Sequence, residues 1–394
     1  MIDVHACLVR GSVFLAGEAI ECVITFSNKG HSRSETLAWA SAQLHCQCSV
    51  SDSKVKLPIQ KSIQQDATGI PLGSATSFTP NRGESNALCL HHHGEKGICV
   101  VSTTPKILVC DLVLSPGESK TYTYFETIPQ DAPPSYKGQS VKYSYKVTIG
   151  TQRVNSPTRL LRVPFRVLVL YGLGETFFMD PDDDFDTDNP FLQGERKPNS
   201  LLDQAVQVLT TITSRKSSNT YNITNAHGTV ARFCIFKSAY KLGEDIIATF
   251  DFSNCPVSCI QYSVTLQSEE QITEECRRRS NQGVSICSYS KHQEFCVHIS
   301  KSHMILPIPL HLTPSFITDI VCLKWRLRFE FVTSKEPLPE QVIPADQSES
   351  ATWQGPQSLG VETMVWNLPI KIMPTNPLHA TSVSLLRAVT TMSV

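Results

Sequence analysis

The sequence has no apolar run long enough to cross a bilayer. About 20 such residues are needed, and a strongly apolar stretch, Val163 to Leu173, is broken by Pro164 and Arg166. The first ten residues, with Asp3, His5 and Arg10 among the apolar ones, lack the basic start, apolar core and small-residue cleavage site of a secretory signal. Secretion is therefore not expected, and any membrane contact is expected to be peripheral. Charge of one sign is missing too. The 35 Lys and Arg offset 36 Asp and Glu to a formal net charge of -1, which leaves no global field for nucleic acid, where phosphate neutralisation dominates affinity. No Gly-rich phosphate loop, G-x-S-x-G elbow, H-E-x-x-H or kinase signature occurs. Neither enzymatic catalysis nor a cofactor is expected.

Cysteine is abundant, with 14 residues spread from Cys7 to Cys322, but its spacing is irregular. Several, such as Cys22 and Cys110, sit within apolar strand patterns, as reduced and mostly buried thiols do. The run His91-His92-His93, with Cys89, Cys99, His45, Cys46 and Cys48 as further ligands, invites a metal reading. Three adjacent histidines cannot all face one ion without contorting the backbone, and the paired C-x-x-C of a closed zinc site is absent. A solvated loop is the simpler reading. Cys255, Cys259, Cys276, Cys287 and Cys296 follow at unrelated intervals and make no stronger case.

An internal repeat organises the chain. GEAIECVITFSN from Gly17 matches GEDIIATFDFSN from Gly243. Ile20, Cys22, Ile24 and Phe26 in the first, and Ile246, Ala248, Phe250 and Phe252 in the second, recur with the period of two of a half-buried strand. Pro129, Pro134 and Ser135 recur as Pro309, Pro314 and Ser315 at a constant offset of 180 residues. VKYSYKVTI from Val141 answers LKWRLRFEF from Leu323, setting Lys142 on Lys324 and Tyr143 on Trp325, and VPFRV from Val163 answers LPIKI from Leu368.

At 394 residues the chain suits two domains. Short alternating strands between Pro, Gly, Ser and Asn clusters, in two copies, predict an all-β protein of two tandem sandwiches. The first spans residues 1–173 with a loop insertion near 51–97, and the second spans 222–374 with an insertion near 335–360. Between them, residues 174–221 carry the self-repelling run DPDDDFDTD, expected to be disordered. A helix over 200–213 follows, with Leu201, Ala205, Val208, Leu209 and Ile212 on one face. Residues 375–394 read as a flexible tail.

A basic stripe is the candidate interaction surface. Val321, Leu323, Trp325, Leu327, Phe329 and Phe331 form an apolar face, so Lys324, Arg326 and Arg328 project oppositely. Lys142 and Lys146 are placed at the equivalent positions of the first copy, and Arg277, Arg278 and Arg279 add a basic cluster. An ordinary solvated sheet face explains these residues, and so does a surface for anionic lipid or an acidic partner.

Gly-Glu leading the first strand, SPGES before TYTYFETIP, and KYSYK ahead of VPFRV resemble arrestin-type immunoglobulin-like domains. More specifically, FLAGEAIECVITFSN, TPKILVCDLVLSPGES, GQSVKYSYKVTIGTQRVNSP, LLRVPFRVLVL, IFKSAYKLGED and LKWRLRFEFVTS resemble the Rgp-type family, the smaller subunit of the Golgi Rab-six guanine nucleotide exchange complex. The resemblance implies a non-catalytic scaffold and GTPase-binding subunit, paired with a large Ric-type partner containing β-propellers. It further implies a cytosolic protein, peripheral on Golgi membranes, that supports retrograde transport from endosomes. An arrestin-like cargo adaptor binding membrane-protein tails is the alternative.

Overall fold

The computed structural model describes residues 1–56, 98–170, 201–214, 218–281, 283–336, 358–382 and 389–394. The histidine run, the acidic run and most of both predicted insertions lie outside the described residues. The chain opens with β1 (Ile2–Leu8), β2 (Val13–Leu15), β3 (Ala19–Asn28) and β4 (Glu35–Val50). It continues through β5 (Ile98–Ser102), β6 (Lys106–Leu114), β7 (Ser119–Thr127), β8 (Tyr136–Lys137), β9 (Val141–Gln152) and β10 (Arg159–Leu168). Helix α1 (Leu201–Thr213) precedes β11 (Asn219–Asn225), β12 (Gly228–Ile235), β13 (Ala239–Lys241) and β14 (Asp245–Asp251). Then come β15 (Cys259–Ile272), β16 (Val284–Phe295), β17 (Lys301–Pro307), β18 (Phe316–Ile317), β19 (Val321–Ser334) and β20 (Val361–Met373). The chain closes with α2 (Pro377–Ser382) and β21 (Val389–Ser393).

These strands build two tandem sandwiches, as the alternation predicts. One pairs the sheet β21-β1-β3-β7 with β2-β10-β9-β4-β5, to which β6 adds through β4; the other pairs β11-β12-β14-β17 with β13-β20-β19-β15-β16. Inward residues alternate strictly along β3, where Ile20, Cys22, Ile24 and Phe26 are all buried, and along β19 from Val321 to Phe331. The second core is aromatic. Phe233, Phe250, Phe329 and Trp366 contact one another edge-on or tilted at 4.7–6.3 Å, geometries that suit ring quadrupoles.

The repeated Gly-Glu performs one task twice. Gly17 and Gly243 adopt φ of +89° and +84°, a left-handed conformation that side chains disfavour. Each donates its N–H to an isoleucine carbonyl, of Ile128 or Ile308. Each following glutamate turns its carboxylate back onto the N–H of the third residue before it, Leu15 at 2.6 Å and Lys241 at 3.0 Å. The Pro-Ser pairs recur for an equally local reason, since Ser135 and Ser315 each donate N–H and accept through Oγ at one position of β10 or β20.

Two expectations are corrected. The residues read as a flexible tail form α2, with Ala380 buried, and β21, which pairs antiparallel with β1 from Asp3–Ser393 to Cys7–Val389. That strand takes the place that β11 holds in the second sandwich. The first copy lacks its own strand there, and the exposed edge of β1 offers unpaired backbone groups that a returning segment satisfies. The register of the long central strands also shifts. Tyr136 pairs with Tyr143, and Phe316 with Leu323, so the offset of 180 residues continues. Lys142 therefore corresponds to Cys322, and Lys146 to Arg326.

Helix α1 buries Ala205 and Leu209, with Leu209, Val208 and Ile212 packed around Met373 of β20 and Leu170 just past β10. It covers a seam to which both sandwiches contribute. Trp325, nearly buried, donates Nε1–H to the carbonyl of Thr313 at 3.2 Å. Trp325→Ala is expected to lower the unfolding free energy by about 3–5 kcal/mol, measured by urea denaturation. An unshifted midpoint would mean that the inward and outward faces of β19 had been exchanged.

Candidate interaction surface

The outward face of β19 carries its cations next to acceptors of its own sheet. Lys324 is exposed and donates to Gln271 Oε1 at 3.2 Å. Arg326 lies 3.3 Å from Glu269 Oε2 and also donates to Gln267, while Arg328 reaches Glu330 at 2.5 Å. This stripe is largely neutralised where it stands. Of the other cluster, Arg279 is exposed, while Arg277 and the exposed Arg278 are built into a contact between the sandwiches, where Arg278 donates Nε–H to the Val55 carbonyl at 3.3 Å. Arg277 bridges to Val55, while the N–H of Lys56 donates to the Cys276 carbonyl and that of Arg278 to the Lys54 carbonyl. The eight predicted residues thus do not form one stripe.

Lys142 and Lys146 belong to a different feature. They face outward from β9 and line a groove of about 610 Å³ with Gln47 and Ser49 of β4, Arg166 of β10, and Lys137. The second sandwich contributes His311 and Thr313 to its wall. Sequence reasoning missed Lys137, Arg166 and His311, which come from a two-residue strand, a strand end and a loop. Arg166 is half-buried and donates to the carbonyls of Leu310 at 3.1 Å and Leu312 at 2.5 Å. Burial alone draws its pKa down.

The groove takes its shape from the joint. Glu270 of β15 is buried, 4% exposed, and its carboxylate accepts three hydrogen bonds from the first sandwich: Tyr136 OH at 2.6 Å, Gln139 N–H at 2.8 Å and Ser140 N–H at 2.8 Å. A buried carboxylate is tolerated when its lone pairs are so engaged. Tyr136 packs edge-on against Phe316, its own repeat equivalent, at 5.0 Å. Arg166 adds the two carbonyl contacts described above, and Tyr143 OH meets Thr318 Oγ1 at 3.1 Å. A Cβ on Gly138 would fall within the Glu270 carboxylate and the Tyr136 ring, so only glycine permits this approach.

Of the thirteen described cysteines six are buried, Cys22, Cys46, Cys48, Cys259, Cys276 and Cys296, whereas Cys110, expected to be buried in its strand, is exposed. Cys46 and Cys48 are buried, and burial raises both, Cys48 to about 12. Cys296 Sγ donates to the Cys259 carbonyl at 3.4 Å.

Comparison with known proteins adds a decisive observation. The Rgp1 family model matches residues 73–180 and 176–334. The chain belongs to the Rgp1 family. It is 49% identical over 389 residues to the Homo sapiens protein named RAB6A-GEF complex partner protein 2, covering 96% of each chain. The Bos taurus protein of the same name is 49% identical over 383 residues, covering 94% of this chain and 93% of its own. The similarity of this Rgp1-family chain to both relatives therefore spans the two sandwiches and the joint between them.

Two outcomes test that joint. Glu270→Gln keeps the shape but loses the charge, and is expected to cost about 1.5–3 kcal/mol of stability. Arg326→Gln removes a surface pair worth less than about 1 kcal/mol. Equal costs in chemical denaturation would show that the carboxylate is not what joins the sandwiches. Burial, then the hydrogen bond to Glu270, holds the Tyr136 phenol well above its ordinary range. A raised folded pKa favours the neutral phenol, so this contribution is whole below the ordinary tyrosine value of about 10 and is lost as pH rises beyond it. The alkaline absorbance difference between wild type and Tyr136→Phe is expected only where the fold gives way. A titration near the ordinary value would contradict the burial.

Proposed function

We propose that this chain is the non-catalytic, arrestin-like subunit of a guanine nucleotide exchange factor for a Golgi Rab GTPase of the Rab-six type. The observation that carries the reading is 49% identity over nearly the whole of a protein named as a RAB6A-GEF complex partner. The architecture is compatible with it. Two β-sandwiches fixed at a hydrogen-bonded joint offer broad sheet faces, and exchange needs no covalent step. An exchange factor binds the nucleotide-free GTPase more tightly than the loaded one and shifts the equilibrium accordingly.

In this reading the chain assembles with a large β-propeller subunit, works in the cytosol and peripherally on Golgi membrane, and supports retrograde transport. Lys142, Arg278, Arg279 and Lys324, which the structure leaves exposed, are the predicted surface residues most accessible to a partner. The experiment is release of fluorescent GDP from the purified Rab with this chain, the large subunit, or both. Acceleration that requires both is expected. No acceleration in any mixture would overturn the proposal.

A further inference from the structure

The duplication supplies its own control for the groove beside the joint. At the same place on the second sandwich, Lys137 and Lys142 are replaced by Ile317 and Cys322, while Lys146 and Arg166 have Arg326 and Lys371 as counterparts, Ser144 has Lys324, and Gln47 has Glu269, which pairs with Arg326. Cations therefore recur at both places, and what sets the second apart is the carboxylate of Glu269 standing where the first has the neutral Gln47. By contrast, Lys137, Lys142, Lys146 and Arg166 all line the first groove with His311, and no carboxylate lines it among the described residues. Lys137 and Lys142 are exposed and make no ion pair among the described residues. Among the described residues Arg166 is held by main-chain carbonyls, an arrangement that orients a guanidinium without neutralising it.

From this we propose that the groove is a binding site for clustered phosphates, carried either on a lipid headgroup or on a soluble polyphosphate. Arg supplies a planar fork and the lysines supply mobile point charges, a combination that suits phosphate oxygens. Ser49, Ser144 and Thr313 also line the groove, the hydroxyls of the last two donating to the carbonyls of Gln47 and Ser135. An acidic peptide fits less well. The strands of the groove floor, β4, β9 and β10, are each paired on both sides, so no free edge offers backbone partners to an extended segment. The wall holds residues of both sandwiches, which places the site where the joint fixes its width.

The inference stands apart from the exchange reading, because its test uses this chain alone. Binding of inositol trisphosphate to the full chain is measured by calorimetry at low salt. Saturable binding is expected, weakened at least tenfold in the double variant Lys137→Gln/Lys142→Gln and unchanged in Lys291→Gln/Lys301→Gln, which removes equal charge elsewhere. All four lysines are exposed, so unchanged melting temperatures should accompany both variants. Competition by phosphatidylcholine vesicles doped with phosphatidylinositol bisphosphate would assign the phosphates to a lipid; binding without such competition would assign them to a soluble ligand. The proposal is overturned by absence of saturable binding, by equal weakening in both double variants, or by displacement with polyglutamate as effective as with the trisphosphate itself.

Discussion

One buried carboxylate fixes how the two halves of this molecule meet. Glu270 leaves the second sandwich and finds its three donors on the first. Burying an ionised group is unfavourable unless its lone pairs are satisfied, and here they are satisfied only if the sandwiches hold one relative position. Gly138 yields the space, and Tyr136 both donates to the carboxylate and packs edge-on against Phe316. The joint is therefore specified by polar geometry at its centre and by apolar packing around it. Helix α1 and the returning strand β21 tie the same halves at other places.

The asymmetry between copies is as informative as the repeat. Backbone devices are kept: the left-handed glycine, the back-turned glutamate and the paired serine recur because each solves a local hydrogen-bonding problem that the fold poses twice. Side chains around these devices are free to diverge. Glu270 has the buried thiol of Cys48 as its counterpart, since Cys48 pairs with Tyr143 as Glu270 pairs with Leu323. Glu269 is replaced by Gln47 in the same way. The outer face of the second sheet sets Glu269 and Glu330 beside its cations, while the groove of the first is lined by cations with no carboxylate among the described residues.

Much of this was legible in the sequence where the determinant is local. Period-two burial revealed β3 and β19, and the 3.6-residue spacing of Ala205, Val208, Leu209 and Ile212 revealed α1. The register of the central strand was misread by two residues because matching lysine to lysine outweighed the constant spacing from Pro134 and Ser135. Strand β21 was not legible, because VTTMS alternates weakly, with Met392 and the following Val394 packed on the core, and is ordered by an edge 390 residues away, as Ser393 Oγ–Asp3 shows. Glu270 reads as an ordinary charged strand residue. Its burial is decided by the other sandwich, as is the convergence of Lys137, Arg166 and His311 on one groove.

Under the proposed exchange reading, the joint sets the surfaces of the two sandwiches in one arrangement for a partner. The most direct measurement of that account is the mass of the assembly formed by this chain, the large partner subunit and the Rab without nucleotide, followed by light scattering during size-exclusion chromatography. The account predicts one stable ternary species that releases the Rab when GTP is added. A chain that elutes apart from both proteins, or an assembly indifferent to GTP, would contradict it.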